Sequence, residues 1–229
     1  MIEAENIVKS FAGKRILDKV SFRMQRGDSV ALLGRNGAGK TTLIRLLATL
    51  TQPSSGCFSI AGYSSKNETR LIRRNIGVMS HYNFLYGDLT AEENLRFFGR
   101  IYDVNPLTQR INELLNKAGL LARQYDRVST FSRGMQQRLS LVRALLHNPP
   151  VLLLDEPFAG LDIQARLMLQ DLLLNLIEKE TTVLLALHDI DYALQNSQRI
   201  LLLDHGRFAI DERSDNLNSS TLITILSES

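Results

Sequence analysis

One stretch of this sequence limits its possible folds more than any other: the eight residues G-R-N-G-A-G-K-T at positions 34–41. They match the pattern G-x-x-x-x-G-K-[ST], and they lie between an apolar run at residues 30–33 and a helical pattern that begins at Thr41. Glycines let several backbone N–H groups converge on one phosphate without clashes from Cβ atoms. A chance glycine-rich turn would lack this strand-to-helix setting, so the motif predicts a phosphate-binding loop. The residues predicted to contact the phosphates are Gly34, Asn36, Gly37, Ala38, Gly39, Lys40, Thr41 and Thr42.

The polar side chains of this loop have separate predicted roles. Lys40 is expected to reach the β- and γ-phosphates of a nucleotide. The hydroxyl of Thr41, or else that of Thr42, is expected to ligate Mg²⁺. The helix predicted from Thr41 to about Thr49 would direct the positive end of its dipole at the anion.

A second apolar run, at residues 151–154, ends in the carboxylate pair Asp155 and Glu156. Ligands of α/β proteins bind at the carboxyl ends of such strands. Asp155 is predicted to hold Mg²⁺ through water, and Glu156 to orient and polarise an attacking water as general base. Alone, the pair is weak evidence, because acidic residues are common at strand ends.

The composition narrows the class of protein. A length of 229 residues suits one or two domains, and 44% hydrophobic with 22% charged residues is usual for a soluble globular protein. The net charge of +3 gives no electrostatic reason to expect a nucleic-acid partner. The single cysteine, Cys57, cannot form an internal disulfide, which fits a reducing compartment.

Neither a membrane span nor a signal peptide is predicted. No apolar run approaches the roughly 20 residues that cross a bilayer. The first residues carry acids where a signal peptide carries bases and an apolar stretch. We therefore expect a cytoplasmic protein, in which any membrane role comes through a partner.

The pattern of apolar residues predicts an α/β fold. The runs at residues 30–33, 151–154 and 183–187 are apolar on both faces, as in the strands of a covered parallel sheet. Val20, Phe22 and Met24 alternate with polar residues, as in a half-buried antiparallel strand. Further strand candidates are residues 57–60 and a hairpin formed by residues 201–203 and 208–210.

The middle of the chain, roughly residues 88–147, is predicted to be helical. Thr90 and Glu93 form a capping-box pattern, and Ile111 begins a set of apolar residues at helical spacing. The sequence thus predicts a single domain over residues 1–229. Its parts are an antiparallel β and phosphate-loop portion at about 1–87, a helical insertion at about 88–147 and the rest of the core at about 148–229.

Residues 131–138, F-S-R-G-M-Q-Q-R, resemble the signature of the ATP-binding cassette family, usually written L-S-G-G-Q. The order of motifs also matches: the phosphate loop, the signature, the acidic pair, G-L-D at residues 160–162, and then His188. Five ordered motifs make the chain similar to this family over nearly its full length. The resemblance implies an ATPase that uses ATP and Mg²⁺. Its fold would be a P-loop NTPase (RecA-like) core with an antiparallel β subdomain and a helical insertion subdomain.

The resemblance also implies a head-to-tail homodimer that forms with ATP. Ser132 and Gly134 of one copy would contact the γ-phosphate held by the phosphate loop of the other. Ser132 is in addition a natural helix cap, which would aim free N–H groups at the anion. The segment of Asp162 crosses the dimer interface in the family, although a structural helix cap is nearly as good an interpretation of this residue.

Two further residues take roles from the resemblance. His188 resembles the switch histidine that senses the γ-phosphate, whereas a single histidine after an apolar run is more often structural. Phe11 stands where the family has an aromatic ring that stacks on adenine, and its alternative is a place in the core.

The sequence departs from the family pattern at three positions. Arg133 replaces a glycine and Met135 replaces a glutamine in the signature. His81 stands where the family has a glutamine that touches Mg²⁺ and the attacking water, and imidazole suits Mg²⁺ poorly. We hypothesise that His81 makes hydrolysis more sensitive to pH than a glutamine would, which a comparison with His81→Gln tests.

Within the family, the stretch H-Y-N-F-L-Y-G-D-L-T-A-E-E-N-L-R-F-F-G-R-I-Y at residues 81–102 looks most like the haem exporter ATPase of cytochrome c maturation. This implies an ATPase that lies peripherally on the inner face of the cell membrane and powers a separate transmembrane permease subunit. That subunit would insert its coupling helix in the groove near residues 81–95. The four histidines of the chain do not form a convincing haem site, so haem binding by the chain itself is not predicted.

Other functions remain open at this stage. ATPases of drug and polysaccharide exporters have a similar signature. A non-transport ATP-binding cassette protein acting on nucleic acid or the ribosome would carry insertions or a basic stripe that this sequence lacks. A small-molecule kinase would leave the signature, Asp162 and His188 unexplained.

Overall fold

The fold is taken from a computed structural model that describes residues 1–80, 84–177 and 180–228. The strands are β1 (Ile2–Phe11), β2 (Lys14–Met24), β3 (Ser29–Leu33), β4 (Ser55–Ile60), β5 (Tyr63–Ser64), β6 (Ile76–Met79), β7 (Val151–Asp155), β8 (Thr182–Ala186), β9 (Arg199–Asp204) and β10 (Arg207–Arg213). The helices are α1 (Lys40–Leu47), α2 (Thr69–Arg74), α3 (Ala91–Ile101), α4 (Leu107–Lys117), α5 (Arg133–Leu145), α6 (Ile163–Ile177), α7 (Ile190–Asn196) and α8 (Ser219–Glu228).

The strands form two sheets. An antiparallel sheet has the order β2-β1-β4-β5, and a six-stranded sheet has the order β10-β9-β3-β8-β7-β6. In the larger sheet every neighbouring pair is parallel except β10 with β9, which form the predicted hairpin. The predicted α/β class, with a P-loop NTPase core and an antiparallel portion, is confirmed.

The parallel strands are buried on both faces, as their sequences predict. Every residue of β3, β7 and β8 is buried. Val30 and Leu32 pack into a core with the antiparallel sheet and α1, whereas Ala31 and Leu33 pack into a second core with α3, α4 and α5. The large sheet therefore lies between two apolar layers. Because both of its faces are covered, functional side chains are expected at its edges.

The helical segment packs against the large sheet through α3, α4 and α5. The capping box is present at the start of α3, because the Glu93 N–H donates to Thr90 Oγ1 at 3.1 Å and the Thr90 N–H donates to the Glu93 carboxylate at 2.8 Å. Asn94 is fully buried and exchanges two hydrogen bonds with the main chain of Tyr86, of 2.8 and 3.0 Å. These bonds fix the loop before α3 on the helix.

Within the described residues, no helix is both long enough and apolar enough to cross a membrane.

Candidate nucleotide site

The loop at residues 34–39 leaves β3 and enters α1 in a conformation that only glycine adopts readily. The φ angles of Gly34 and Gly39 are 150° and 113°. A Cβ on Gly34 would lie 2.3 Å from the carbonyl oxygen of Leu203, and one on Gly39 would lie 2.8 Å from the side chain of Leu17. The loop is therefore wedged between β9 and β2, and both glycines are needed for close packing as well as for conformation.

Lys40 is buried at the start of α1, with 5% of its surface exposed. Its Nζ donates to the carbonyl oxygen of Gly34 at 2.6 Å and to that of Arg35 at 3.3 Å, so the side chain folds back over the loop. Burial lowers the pKa of Lys40, while the nearby charges of Glu156 and Asp155 act in the opposite direction. The ammonium group thus lies within electrostatic range of Glu156, the predicted general base, and of Asp155, the predicted magnesium ligand.

The remaining loop residues surround the start of α1. Asn36 and Gly37 are exposed, Ala38 is buried and Thr42 is half-buried. In the described part of the chain, no side chain caps the first turn of α1. Its N–H groups are therefore available to an anion, as a phosphate-binding helix requires.

Asp155 and Glu156 follow one another at the end of β7 but have different surroundings. Asp155 is 6% exposed, and Thr41 Oγ1 donates to its Oδ1 at 3.3 Å. Glu156 has a φ of 52°, rare for a residue with a side chain, and its N–H donates to the carbonyl oxygen of Ala186 at 3.0 Å. The chain therefore turns sharply at Glu156, directly after the strand that carries Asp155.

His188 meets Glu156 at this edge. Its Nε2 lies 2.6 Å from Glu156 Oε1, and the side chains are 44% and 33% exposed. His188 is therefore a partly exposed residue at the sheet edge and not part of the core. Because β8 lies between β3 and β7 in the sheet, the residues that follow these three strands meet at one edge.

The oxygens of Thr41 and Asp155 suit Mg²⁺, which prefers hard oxygen ligands. Within the described residues, no group of three or more histidine, cysteine, aspartate or glutamate side chains could hold a metal. A magnesium ion at this edge would therefore take further ligands from bound phosphate and water.

The signature residues lie at the start of α5. Ser132 caps this helix, since its side chain accepts from the Met135 N–H at 3.3 Å, and Ser132 itself is exposed. Gly134 is half-buried, and a Cβ there would lie 3.5 Å from both Ala165 and Leu161. The capping role expected for Ser132 is thus observed, at a helix end that solvent can reach.

Asp162 also caps a helix. Its Oδ1 accepts from the Ala165 N–H at 2.8 Å, at the start of α6. Asp162 is exposed, so this structural role does not bury it.

The signature and the segment at residues 159–162 pack on one another, which the sequence did not reveal. The Arg133 guanidinium lies so close to Gly160, whose φ is 72°, that a Cβ there would be 2.8 Å from its Cζ. Gln137 Nε2 donates to the carbonyl oxygen of Ala159 at 3.1 Å. Arg133 therefore packs against Gly160 of its own chain. The sequence had allowed a contact with phosphate or a position in solvent.

A cavity of about 310 Å³ joins the signature helix to the acidic pair. Arg133, Gln136 and Gln137 line it from α5, and Asp155 and Glu156 line it from the strand end. The three α5 residues are spaced i, i+3 and i+4 along the helix, and this shared helix face is the signal that could have marked them.

Phe11 ends β1 with 51% of its surface exposed, so its alternative place in the core is wrong. The Nζ of Lys9 lies 4.8 Å from the centroid of the ring. A cation thus covers one side of the ring, within the range of a cation–π contact. His81, the substitute for the family's glutamine, lies outside the described residues.

This chain matches a known family over most of the segment that forms the site. A family model described as "ABC transporter" matches residues 17–159, from β2 to the acidic strand end. The chain belongs to the ABC transporter family. A P-loop NTPase fold and the motif order of an ABC ATPase agree with this membership, and the chain is an ATP-binding, ATP-hydrolysing subunit of this family.

Two bacterial ATP-binding proteins illustrate the sequence likeness. The linearmycin resistance ATP-binding protein LnrL of Bacillus subtilis is 36% identical over 231 residues, which cover 98% of this chain and 74% of LnrL. The Nod factor export ATP-binding protein I of Paraburkholderia xenovorans is 36% identical over 208 residues, which cover 90% of this chain and 68% of that protein.

Solved ABC structures share the whole fold. The structure of an ATP-binding subunit of an ABC transporter superposes with a TM-score of 0.92 at 29% identity, covering 99% of each chain. A dimeric ATP-binding cassette in a post-hydrolysis state, bound to ADP and Pi, superposes with a TM-score of 0.85 at 28% identity, covering 93% of this chain and 99% of that one.

Proposed function

We propose that this ABC ATPase powers export by a separate transmembrane permease subunit, on the inner face of the cell membrane. The observation that carries the proposal is the arrangement of Lys40, Asp155, Glu156 and His188 at one sheet edge of a chain whose signature helix is exposed. A sheet edge that carries all the predicted hydrolytic residues, together with an exposed signature helix, suits an ATPase that functions as a dimer. Family membership and the names of the relatives support transport as its task.

In the proposed hydrolysis, Lys40 and the N–H groups of the loop bind the β- and γ-phosphates. Thr41 and Asp155 would hold Mg²⁺, which when bound neutralises phosphate charge. Glu156 accepts a proton from the attacking water at a carboxylate oxygen. His188, 2.6 Å from Glu156, holds that carboxylate in place and would sense the γ-phosphate, the role that the family's switch histidine has.

The proposed dimer is head-to-tail and forms with ATP. Ser132 and Gly134 of one copy would contact the γ-phosphate bound by the other, because the exposed start of α5 offers N–H groups to an anion. Asp162 would face the partner copy, and Phe11 would stack on adenine with the side of its ring that Lys9 does not cover. The dimeric relative with ADP and Pi supports this arrangement.

The permease is proposed to dock in a groove between the large sheet and the helical segment. A cavity of about 420 Å³ lies there, lined by aromatic residues from the loop before α3 and from α3 and its C-terminal end. Apolar anchors of a partner helix occupy such cavities in known complexes.

Export of a drug or of a Nod factor is the cargo class that the relatives favour. Their names refer to linearmycin resistance and Nod factor export. The narrower proposal of haem as cargo rests on the sequence likeness at residues 81–102 alone.

Co-expression with candidate six-span membrane proteins, beginning with those encoded beside this chain, tests the proposal. We expect one of them to co-purify and to raise ATP hydrolysis severalfold in proteoliposomes. Co-purification with nucleic acid or ribosomes, and with no membrane protein, would replace transport by the alternative of a non-transport ABC ATPase.

A further inference from the structure

The cavity of about 420 Å³ in the docking groove carries positive charge but no acid. Its polar lining includes Arg73 and Arg143, and none of its described lining residues is an aspartate or a glutamate. Arg73 donates to Thr49 Oγ1 at 2.8 Å and to the Thr49 carbonyl oxygen at 3.4 Å. The acceptors of this arginine are therefore uncharged.

Arg143 is the more unusual of the two because it is buried, with 7% of its surface exposed. Its Nη2 donates to the carbonyl oxygen of Val78 at 2.6 Å. Its Cζ lies 5.1 Å from the ring centroid of Phe84 and 5.2 Å from that of Phe98. Its Nε has no hydrogen-bond partner within the described structure.

Buried charges in proteins are normally paired with an opposite charge. Burial lowers the pKa of Arg143 to about 10, so the guanidinium stays protonated at neutral pH. The aromatic rings around it offset only part of the cost of desolvation. The free chain thus holds a buried cation that has no acidic partner among the residues that the structure describes, and a carboxylate would supply one.

The surface around the cavity is too large for a small acid alone. Leu50, Phe84 and Tyr86 line the cavity and are 47%, 37% and 50% exposed. Phe97, 43% exposed, extends the patch, because its ring lies 5.4 Å from that of Tyr86. An apolar surface of this kind fits a segment of protein.

We infer that Arg143 is the receptor for an acidic side chain of the permease, carried on the apolar segment that docks over Leu50, Phe84, Tyr86 and Phe97. The inference rests on the proposed function and adds the chemistry by which the partner is recognised. The carboxylate approaches the guanidinium from the cavity and pairs with it through a charge-assisted hydrogen bond. The apolar side chains on either side of it cover the aromatic rings and exclude water from the pair.

Peptides of 15 residues that tile the cytosolic loops of the co-purifying permease test the inference. Each peptide that contains aspartate or glutamate is paired with its asparagine or glutamine twin, and both are titrated calorimetrically into the full chain. We expect one acidic peptide to bind at least tenfold more tightly than its amide twin. Arg143→Gln, which keeps a donor for the Val78 carbonyl but removes the charge, should abolish this preference and leave basal ATP hydrolysis unchanged.

Arg110→Gln is the matched control and should keep the preference. Arg110 also donates to main-chain oxygens nearby, those of Leu145 and Leu146, but it has an acid partner in Glu113. Should Arg143→Gln fail to fold, the comparison of acid and amide peptides on the unmodified chain decides alone.

The outcomes separate this inference from the proposed function. If the acidic peptides and their amide twins bind equally well, the role of Arg143 is overturned, but docking of the permease in this groove is not. If the permease and the chain form a complex but no loop peptide binds the chain, docking at this cavity is overturned. Saturable binding of free glutarate, without a preference for any acidic peptide over its amide twin, has the same consequence. Failure of every candidate permease to co-purify contradicts the proposed function itself.

Discussion

Glu156 is the residue on which hydrolysis should depend most. Its contact with His188 and its place beside Asp155 suit a general base, whereas Lys40 and the loop are the groups proposed to bind phosphate. Glu156→Gln should therefore lower the rate of ATP hydrolysis by roughly 10²- to 10⁴-fold, the usual contribution of a general base. ATP binding should persist, so the variant should accumulate as an ATP-bound dimer in size-exclusion chromatography.

Glu212→Gln, an exposed change on β10, is the control and should hydrolyse ATP normally and stay monomeric to the same extent as the unmodified chain. A normal rate for Glu156→Gln would show that another group activates the water.

Gly34 tests whether the phosphate loop needs close packing or only an unusual backbone. Gly34→Ala adds a methyl group 2.3 Å from the Leu203 carbonyl oxygen, whereas Gly62→Ala, at a φ of 85°, meets nothing within 4 Å. Gly62→Ala should cost about 1–2 kcal/mol of unfolding free energy through backbone strain. Gly34→Ala should cost a further ~1–3 kcal/mol from overpacking, measured by urea denaturation without nucleotide. Equal losses of unfolding free energy in the two variants would mean that β9 moves readily to make room for the added methyl group.

At the scale of residues, motifs predict which side chains matter but not how they touch. The strand ends before Lys40, Asp155 and His188 are visible in the sequence because each follows an apolar run. The contact of Arg133 with Gly160 is not, since it depends on how α5 packs against a loop about 27 residues away. The 2.6 Å contact of His188 with Glu156 likewise depends on the order of strands in the sheet.

Among the helices, α3 has the start that is best defined by local sequence. Thr90→Ala removes one half of its capping box and should lower the unfolding free energy by about 1 kcal/mol. Urea denaturation measures the loss. Thr69→Ala, at the start of α2, where no side-chain cap is found in the described helix, should lose less than half as much. Equal effects would assign the loss to helix propensity instead of capping.

The elements themselves were largely predictable, for physical reasons that differ among them. Strands β3, β7 and β8 are short and apolar on both faces, which only a covered sheet accommodates. The order of strands was not predictable from local patterns, because pairing of β3 with β8 and β9 joins residues more than 150 positions apart.

For the molecule as a whole, His147 should make stability depend on pH. Burial lowers the pKa of this histidine from 6.5 to about 4, so the unfolded chain binds a proton that the folded chain resists between these pH values. Its contribution to stability is complete above pH 6.5 and is lost as the pH falls toward 4. The loss amounts to at most about 3 kcal/mol.

Urea denaturation of His147→Gln from pH 4 to 7 checks this expectation. Its unfolding free energy should vary less with pH than that of the unmodified chain. His205→Gln, a change of a side chain that is 80% exposed, should keep the original dependence. An unaltered slope in His147→Gln would assign the acid sensitivity to carboxylates.

The wedge of Gly34 against Leu203 has a consequence for translation. The phosphate motif leaves the ribosome before residues 182–204, from which β3 takes its neighbours in the sheet. A nascent chain that has emerged only as far as the signature contains all residues of the phosphate motif. It lacks β8 and β9, the strands that hold the phosphate loop in its conformation. We therefore expect a nascent chain not to bind ATP until β9 has been made and has paired with β3. Incomplete chains would then not bind nucleotide.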